Sequence, residues 1–412
     1  GDVYKRQLMR TLGIERSLID AQGQAWIHGE GASLRAFEVG RFLRKSIFPA
    51  PFHYASLLFQ PRFLTLLSPL DIIRLPMALG SLIAVGSLDP NRDASLLEGK
   101  SLSLLLDSWP KALRELFGSL ARNGLSADPH DVPLSGFIAW LRFYSLLRRD
   151  SWSFSFLRDD AGSRLVDPLK TAVGEAGARI SMSSHVDMLR QTQSGWEVQW
   201  TCSATETGAE EASSTVAADH VVLAVDAPGA RSLLTSPESS TRERARQMAW
   251  PEGQPTVVIR EWFRVLPSLL AEAGVFSGDF AADNYFWLQN IHDDAFLWHR
   301  ATGGSVVEVH VYGPPSLIQR PDVELEQLVI RDLERAFPQV AGQRIQGMVR
   351  RNPPTHTLYR VGLGDRNLAV ESPWPCLWCC GDWIRHPSPS LFLERACTTG
   401  LAAANRVLAY ER

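Results

Sequence analysis

Lysine is scarce in this sequence. Five occur among 412 residues (Lys5, Lys45, Lys100, Lys111 and Lys170), so a site built from residues after 170 has no lysine ammonium to use. Cysteine is also sparse. Three of the five lie in or beside one apolar stretch, which excludes a disulfide framework and points to a reducing compartment. Cys376-x-x-Cys379-Cys380 has no second cysteine pair, and an extended strand sends Cys379 and Cys380 to opposite faces, so no metal site is expected. The net charge of −3 leaves no electrostatic footprint for nucleic acid. Long apolar runs are missing too. The longest suspicious uncharged run, Leu75–Leu88, has 14 residues with two Gly and one Pro, which suits a core or a membrane surface better than a crossing. No signal peptide is evident. No Gly-x-Gly-x-x-Gly follows a strand near the beginning, so no loop there can hold a pyrophosphate on a helix N-terminus.

What is present reads as a soluble globular chain, 45% apolar and 21% charged, long enough for one large core or two domains. Gly1–Gln7 carries no structural pattern and resembles translated adapter sequence, so the natural protein is expected to start further upstream. Leu8–Ile19 reads as a weak helix interrupted by Gly13, and the stretch 22–38 as a hairpin around Gly29-Glu30-Gly31. After the breaker Ile47–Phe52, the chain from Tyr54 to Arg148 is helical by its three- and four-residue apolar spacing. Pro61 and Pro76 divide or kink its first segments, Ser68 suits a cap, and Asp107 or Ser108 suits another before Trp109-Pro110. The aromatics Phe52, Tyr54, Phe59, Trp109, Phe137, Trp140, Phe143 and Tyr144 are core candidates, with a tunnel for a long apolar ligand as the sharper reading.

Further on, Arg164–Glu175 is a helix with Gly177 just past its end. Ile180–Met182 is a strand candidate, and Val186–Leu189 with Trp196–Trp200 forms a hairpin around Gly195. Thr207–Ala218 reads as a solvated turn, Asp219–Val225 as a buried parallel strand, and Ala230–Leu234 as a short helix. Thr256–Phe263, Tyr285–Leu288, Ala295–Trp298 and Ser305–Val311 are β segments of a second sheet. Leu325–Phe337 is an amphipathic helix, and Val349–Thr357 leads back towards the first unit.

The stretch after Pro375 organises the chain. Leu377-Trp378-Cys379-Cys380 is a short buried strand, Gly381-Asp382 follows where it ends, and Pro387–Ser390 makes a turn with Ser390 as N-cap. From Leu391 the pattern is helical, with Ala396, Gly400 and Ala404 as a small-residue stripe suited to pressing on a sheet or ligand. Strand, Gly-Asp, loop and small-faced helix together resemble the C-terminal flavin motif of the amine oxidase and carotenoid desaturase superfamily. The wording GDW…P…LFLERACTTGLAAANRVL is similar to its carotenoid desaturase and isorenieratene synthase branch. The resemblance implies FAD, with Gly381, Asp382 and Trp383 at the phosphate–ribityl region. It also implies Leu393 at the ring, Val186 at the adenine by backbone, and Ala224 at the end of the strand near the dinucleotide.

The fold expected from the resemblance is α/β (α+β). An FAD-binding Rossmann-like domain of the glutathione-reductase type, lacking its first strand and Gly-rich loop, joins a mixed helical and antiparallel-sheet substrate domain. The divisions are 8–52 (remnant of the flavin side), 53–150 (helical substrate cap), 151–250 (FAD-binding), 251–345 (substrate sheet and helix) and 346–412 (FAD-binding, with the flavin motif). The expected activity is FAD-dependent oxidation of a long apolar isoprenoid or carotenoid by hydride transfer to flavin, of desaturase or ring-modifying type. Catalytic side chains stay unassigned, because hydride transfer to flavin needs positioning and dryness more than a dyad or triad. An amine oxidase is the alternative, although the lysine that such enzymes place on the second sheet is missing. A non-catalytic, lipid-binding, membrane-peripheral protein on a flavoprotein fold is the alternative of another class. Arg385 and His386 adjoin the Gly-Asp and could face substrate, with the surface as the favoured reading; His185 adjoins Val186 and suits the surface or the hairpin better than catalysis. The expected partner is an apolar small molecule, with membrane contact open. The expected location is the cytoplasm, with a position peripheral to a membrane left open.

Overall fold

The computed structural model describes residues 3–410 except 22, 66, 147, 150, 152–153, 203–211, 270 and 360–366. Its largest sheet has seven strands, in the order Arg344–Thr357, Gly253–Phe263, Ser305–Val311, Asn284–Trp287, Ala273–Gly278, Gln24–Glu30 and Ser33–Glu38. Every neighbour pair is antiparallel except Ala273–Gly278 with Gln24–Glu30. Side chains alternate across these strands and sort two cores. Val257, Ile259, Val307, Val309 and Phe276 pack on one face against the helix Asp322–Ala336, through its Leu325, Val329 and Leu333. Trp26, Phe37 and Val275 face the other way, into a helical layer.

That layer runs from Phe52–Phe59 through Pro69–Ser87 and Lys111–Leu125 to Leu134–Trp140. Ser68 caps the long helix in a reciprocal box: its hydroxyl accepts the Asp71 N–H while Asp71 accepts the Ser68 N–H. The cap expected at Asp107 or Ser108 is not formed; Pro110 occupies that position and the helix starts at Lys111. Phe137 and Trp109 are core, Phe52 and Phe59 are exposed, and Trp140 and Tyr144 are half-buried.

A third core joins a parallel strand pair, Val221–Leu223 with Leu377–Cys379, to the antiparallel sheet of Ser184–Gln191, Trp196–Cys202 and Ala212–Ala218. The helix Phe392–Tyr410 closes it through Ala403. Gly195 takes φ 157° in the tight turn of the hairpin, and a Cβ there would strike the Ala218 carbonyl.

Several segments differ from the sequence expectation, each for a local reason. Asp293–Thr302, which includes the expected β segment Ala295–Trp298, is a helix: two aspartates open it and Gly303 ends it at φ 73°. Its short apolar run carried no period to tell strand from helix. The chain is helical from Val3 to Thr11, covering residues that showed no pattern, while Ile19 lies in the strand Leu18–Asp20. Ile180–Met182 forms no strand; pairing begins at Ser184, after Ser183 in the left-handed region at φ 53°. Ala212–Ala218 is a strand rather than part of a turn; residues 207–211 of that expectation lie outside the described set. The hairpin within 24–38 joins the seven-stranded sheet, not the flavin side, because Gln24–Glu30 pairs with Ala273–Gly278.

Glu261 lies fully buried on the strand Gly253–Phe263, with Arg344 Nε 2.8 Å from one carboxylate oxygen and Glu326 sharing the same guanidinium. Burial pushes its carboxyl up to about 7, against the pull of Arg344. A carboxyl whose folded pKa is raised contributes stability at low pH and loses it as pH rises through the folded value. The unfolding free energy of the parent relative to E261Q is therefore expected to fall between about pH 4.5 and 7. Urea denaturation across that window checks it; a pH-independent difference would contradict the burial argument.

Candidate functional site

The two parallel strands bring separate parts of the chain to one edge. Leu223 pairs with Cys379, and the Cys380 N–H donates to the Leu223 carbonyl at 3.0 Å. Ala224 and Gly381 therefore leave the sheet side by side at its carboxyl end, where open α/β sheets bind ligands. Gly381 sits at φ 141°, a conformation that favours glycine. Its N–H donates to the Thr399 hydroxyl at 3.0 Å, fixing the turn to the C-terminal helix. Trp383 is buried, and its indole N–H donates to the Val225 carbonyl at 2.8 Å, so it locks the two strand exits together.

Asp382 is half-buried and held on both oxygens: the Thr357 hydroxyl donates to one at 3.1 Å and the Tyr359 hydroxyl to the other at 3.0 Å. Tyr359 is buried, and its hydroxyl also accepts the Phe392 N–H at 2.6 Å. Burial, with Asp382 beside it, raises the phenol well above its ordinary range, so it stays a donor to the carboxylate. The neighbouring residue is served in the same way: Tyr144 accepts the Leu391 N–H at 3.2 Å and donates to its carbonyl at 3.0 Å. Two tyrosines thus meet the backbone at the start of the helix, whereas the hydroxyl of Ser390, the expected cap, bonds Ser388. His356 lies 5.6 Å from the Phe392 ring, burial holds its pKa down, and its Nε2 has no partner.

Phe392 also lines a cavity of about 460 Å³ between the helical layer and the seven-stranded sheet. Trp140, Tyr144, Phe154, Val275 and Phe286 supply its apolar wall; Gln24, Asn123 and Asn284 are among its polar groups. A continuous hydrogen-bonded path therefore runs from the Gly381–Asp382 turn through Tyr359 to the cavity wall at Phe392. On the same sheet, Glu308 is held down to about 2: burial opposes ionisation, but hydrogen bonds from His310 and Arg260 outweigh it.

The remaining expected site positions are surface ones. Leu393 is 58% exposed, Val186 39%, and Ala224 is exposed. Gly381, Asp382, Trp383 and Ala224 come together at one sheet edge. Val186 stands on the hairpin that joins the same core through Leu189 and Trp196. His185 and Arg385 are exposed, and His386 is half-buried with its Nδ1 accepting the Ser388 N–H. The Ala396–Gly400–Ala404 stripe is not the packed face: a Cβ at Gly400 would meet nothing within 4 Å, and the helix buries Glu394, Arg395, Thr398, Thr399 and Ala403 instead. Glu394 accepts the N–H groups of Tyr4 and Lys5 at 2.8 and 3.0 Å, capping the first helix. Sequence reading missed Thr357, Tyr359 and Phe392, and it named Tyr144 as a tunnel aromatic without its bonds to the Leu391 backbone. Their roles depend on contacts between distant segments and leave no local pattern.

The profile of flavin-containing amine oxidoreductases matches residues 32–408, and the chain belongs to that family, whose cofactor is FAD. Its fold is that of FAD-dependent amine oxidases. It superposes on cyclohexylamine oxidase from Brevibacterium oxydans with a TM-score of 0.64 at 14% identity, covering 100% of this chain and 86% of the other. Among curated proteins it is similar to the carotenoid phi-ring synthases of Chlorobaculum tepidum (29% identical, 47% of this chain, 30% of the relative) and Streptomyces griseus (32%, 46% and 37%). The matched region spans about a third of the length of those relatives.

Part of the site fits FAD on its own geometry. A left-handed glycine and a half-buried carboxylate stand at the carboxyl end of a parallel pair, and each Asp382 oxygen, with one protein donor apiece, keeps acceptor capacity for a ribityl hydroxyl. Leu393, exposed in the first turn of a 19-residue helix, stands where N–H groups lack intrahelical partners. Replacing Tyr359 by Phe is expected to cost about 1–3 kcal/mol, because the Phe392 N–H and one Asp382 oxygen lose their partner in a buried place. Chemical denaturation measures it, and an unchanged midpoint would show that the bridge does not hold the turn.

Proposed function

We propose that this chain carries the flavin-ring end and the substrate cavity of an FAD-dependent oxidoreductase acting on a long apolar isoprenoid or carotenoid. The observation that carries the reading is the path Asp382–Tyr359–Phe392, which joins a Gly-Asp turn at a parallel-sheet edge to an aromatic cavity wall. Bound FAD would supply the hydride acceptor. Gly381 and Asp382 would hold the ribityl–phosphate region and Leu393 the ring by its backbone, while Val186 and Ala224 would flank the nucleotide. Trp383 would act by fixing the turn. Trp140, Tyr144, Phe154 and Phe286 would hold the substrate against the ring and exclude water. The carotenoid phi-ring synthases among the relatives support the substrate class. The strands of the seven-stranded sheet contain no lysine, which counts against an amine oxidase.

Asp382→Ala is expected to weaken FAD retention at least about tenfold, the loss of one or two charge-assisted hydrogen bonds. Flavin absorbance remaining with the protein after gel filtration measures it, with far-UV circular dichroism as the folding control. Undiminished flavin in the variant would remove Asp382 from the cofactor site.

A membrane-peripheral reading rests on a different observation. The helix Pro69–Ser87 runs 19 residues and is long and apolar enough by composition to cross a membrane. Only 11% of its apolar window is buried. Ile73 is 75% exposed and Ile83 69%, and nearby in sequence Phe59 is 72% and Ile47 89% exposed. The charged residues from 44 to 88 are Arg44, Lys45, Arg62 and Arg74 against Asp71, whose carboxylate is engaged in the Ser68 cap. Exposed apolar surface among cations suits an anionic lipid surface. The protein is expected to float with phosphatidylglycerol vesicles and the double variant I73E/I83E to stay in solution. Equal behaviour of the two proteins would exclude this face.

A further inference from the structure

Arg395 presents a separate problem. It is only 7% exposed, and its Nε has no hydrogen-bond partner. Its Nη2 donates to the Ser388 carbonyl at 3.2 Å, and its guanidinium lies 5.8 Å from the centroid of the Tyr359 ring. No carboxylate lies within ion-pair distance of it among the described residues. Burial accordingly holds its pKa below the ordinary arginine value. A buried, unpaired guanidinium is costly unless an anion meets it.

Arg395 lines a second pocket of about 370 Å³, which shares Arg148 with the aromatic cavity and lies between the turn Asp89–Asn91, Arg142, Phe143 and Arg148, and the loop Pro387–Pro389. Two further guanidiniums line it. Arg142 donates through Nη1 to the carbonyls of Gly86, Ser87 and Leu88 at 3.1, 3.2 and 2.7 Å, which positions it at the C-terminus of the long apolar helix. Arg148 lies 4.6 Å over the Phe143 ring. Neither has a carboxylate within ion-pair distance among the described residues, although Arg142 helps to hold the Asp89 and Asp93 carboxyls below their ordinary range. Asp89 is the one acid on the wall, and its Oδ1 already accepts the N–H groups of Asn91 and Arg92 at 2.9 and 3.0 Å. Three cations thus converge with one partly engaged carboxylate, an arrangement that matches an oxoanion carrying two negative charges.

We propose that the pocket formed by Arg142, Arg148 and Arg395 binds a phosphate-type oxoanion, free or as the headgroup of a lipid. The site goes beyond the flavin reading and does not depend on it. Phosphate oxygens would meet the guanidiniums of Arg395 and Arg148, while Arg142 stays anchored to the helix end.

Inorganic phosphate and pyrophosphate, with potassium chloride at matched ionic strength, are titrated calorimetrically into the full chain. Vesicles with and without phosphatidylglycerol form a second arm. A saturable heat with either phosphate, absent with chloride and weakened at least about tenfold in R148Q and R395M, is the result expected. Without anion, R395M is expected to melt at the same or a higher temperature than the parent, since an apolar chain suits an unmet pocket better than a lone cation. Should R395M not fold, R148Q decides alone. Phosphatidylglycerol-dependent vesicle binding lost in R148Q, without heat from the free ions, assigns the lipid headgroup as the source. No saturable response in either arm, or equal affinities in parent and variants, overturns the proposal. Displacement of pyrophosphate by FAD overturns it as a separate site and leaves the proposed function standing.

Discussion

One phenol holds the centre of this structure together. The buried Tyr359 hydroxyl donates to Asp382 and accepts the Phe392 N–H. Thr357, at the end of the sheet's edge strand, holds the other oxygen of the same carboxylate. The last strand of the seven-stranded sheet, the turn after the parallel pair and the start of the C-terminal helix are therefore fixed to one another within a few bonds. Buried networks of this kind are valuable only when every member is satisfied, and here the raised phenol and the carboxylate suit each other as donor and acceptor.

The rest of the architecture follows from how that junction is surrounded. The large sheet divides its side chains between the helix Asp322–Ala336 and the helical layer, and the layer leaves an aromatic cavity ending at Phe392. On the other side of the junction, the third core keeps the parallel strands in register, and Trp383 ties their exits together. Geometry that suits a cofactor and geometry that suits an apolar substrate thus meet at two consecutive helix residues, Phe392 facing the cavity and Leu393 open to solvent. Family membership gives FAD as the cofactor; the proposed apolar substrate rests on the aromatic part of the cavity wall.

How much of this was legible in the sequence depended on the range of the interactions. The Gly381–Asp382 turn, a strand within 219–225, the Gly195 hairpin, the Ser68 cap and the body of the helix read at Leu325–Phe337 were all readable, because the pattern of each is local. Tyr359 and Thr357 were not, since they reach Asp382 from 23 and 25 residues away, and Tyr144 reaches Leu391 across 247. Asp293–Thr302 was misread because four apolar residues in a row fit either period, and its terminal aspartates and Gly303 were the better signal. The Ala396–Gly400–Ala404 stripe looked like a packing face because small residues permit close approach, but the helix turned its larger polar residues inward to serve the junction.

The most direct measurement is a structure of the protein with FAD bound. The proposed function predicts the edge of the ring against the Leu393 backbone and the ribityl chain beside Gly381 and Asp382, with the Tyr359 bridge to Phe392 retained. An ordered FAD whose nearest atoms lie away from both Leu393 and Asp382 would contradict it.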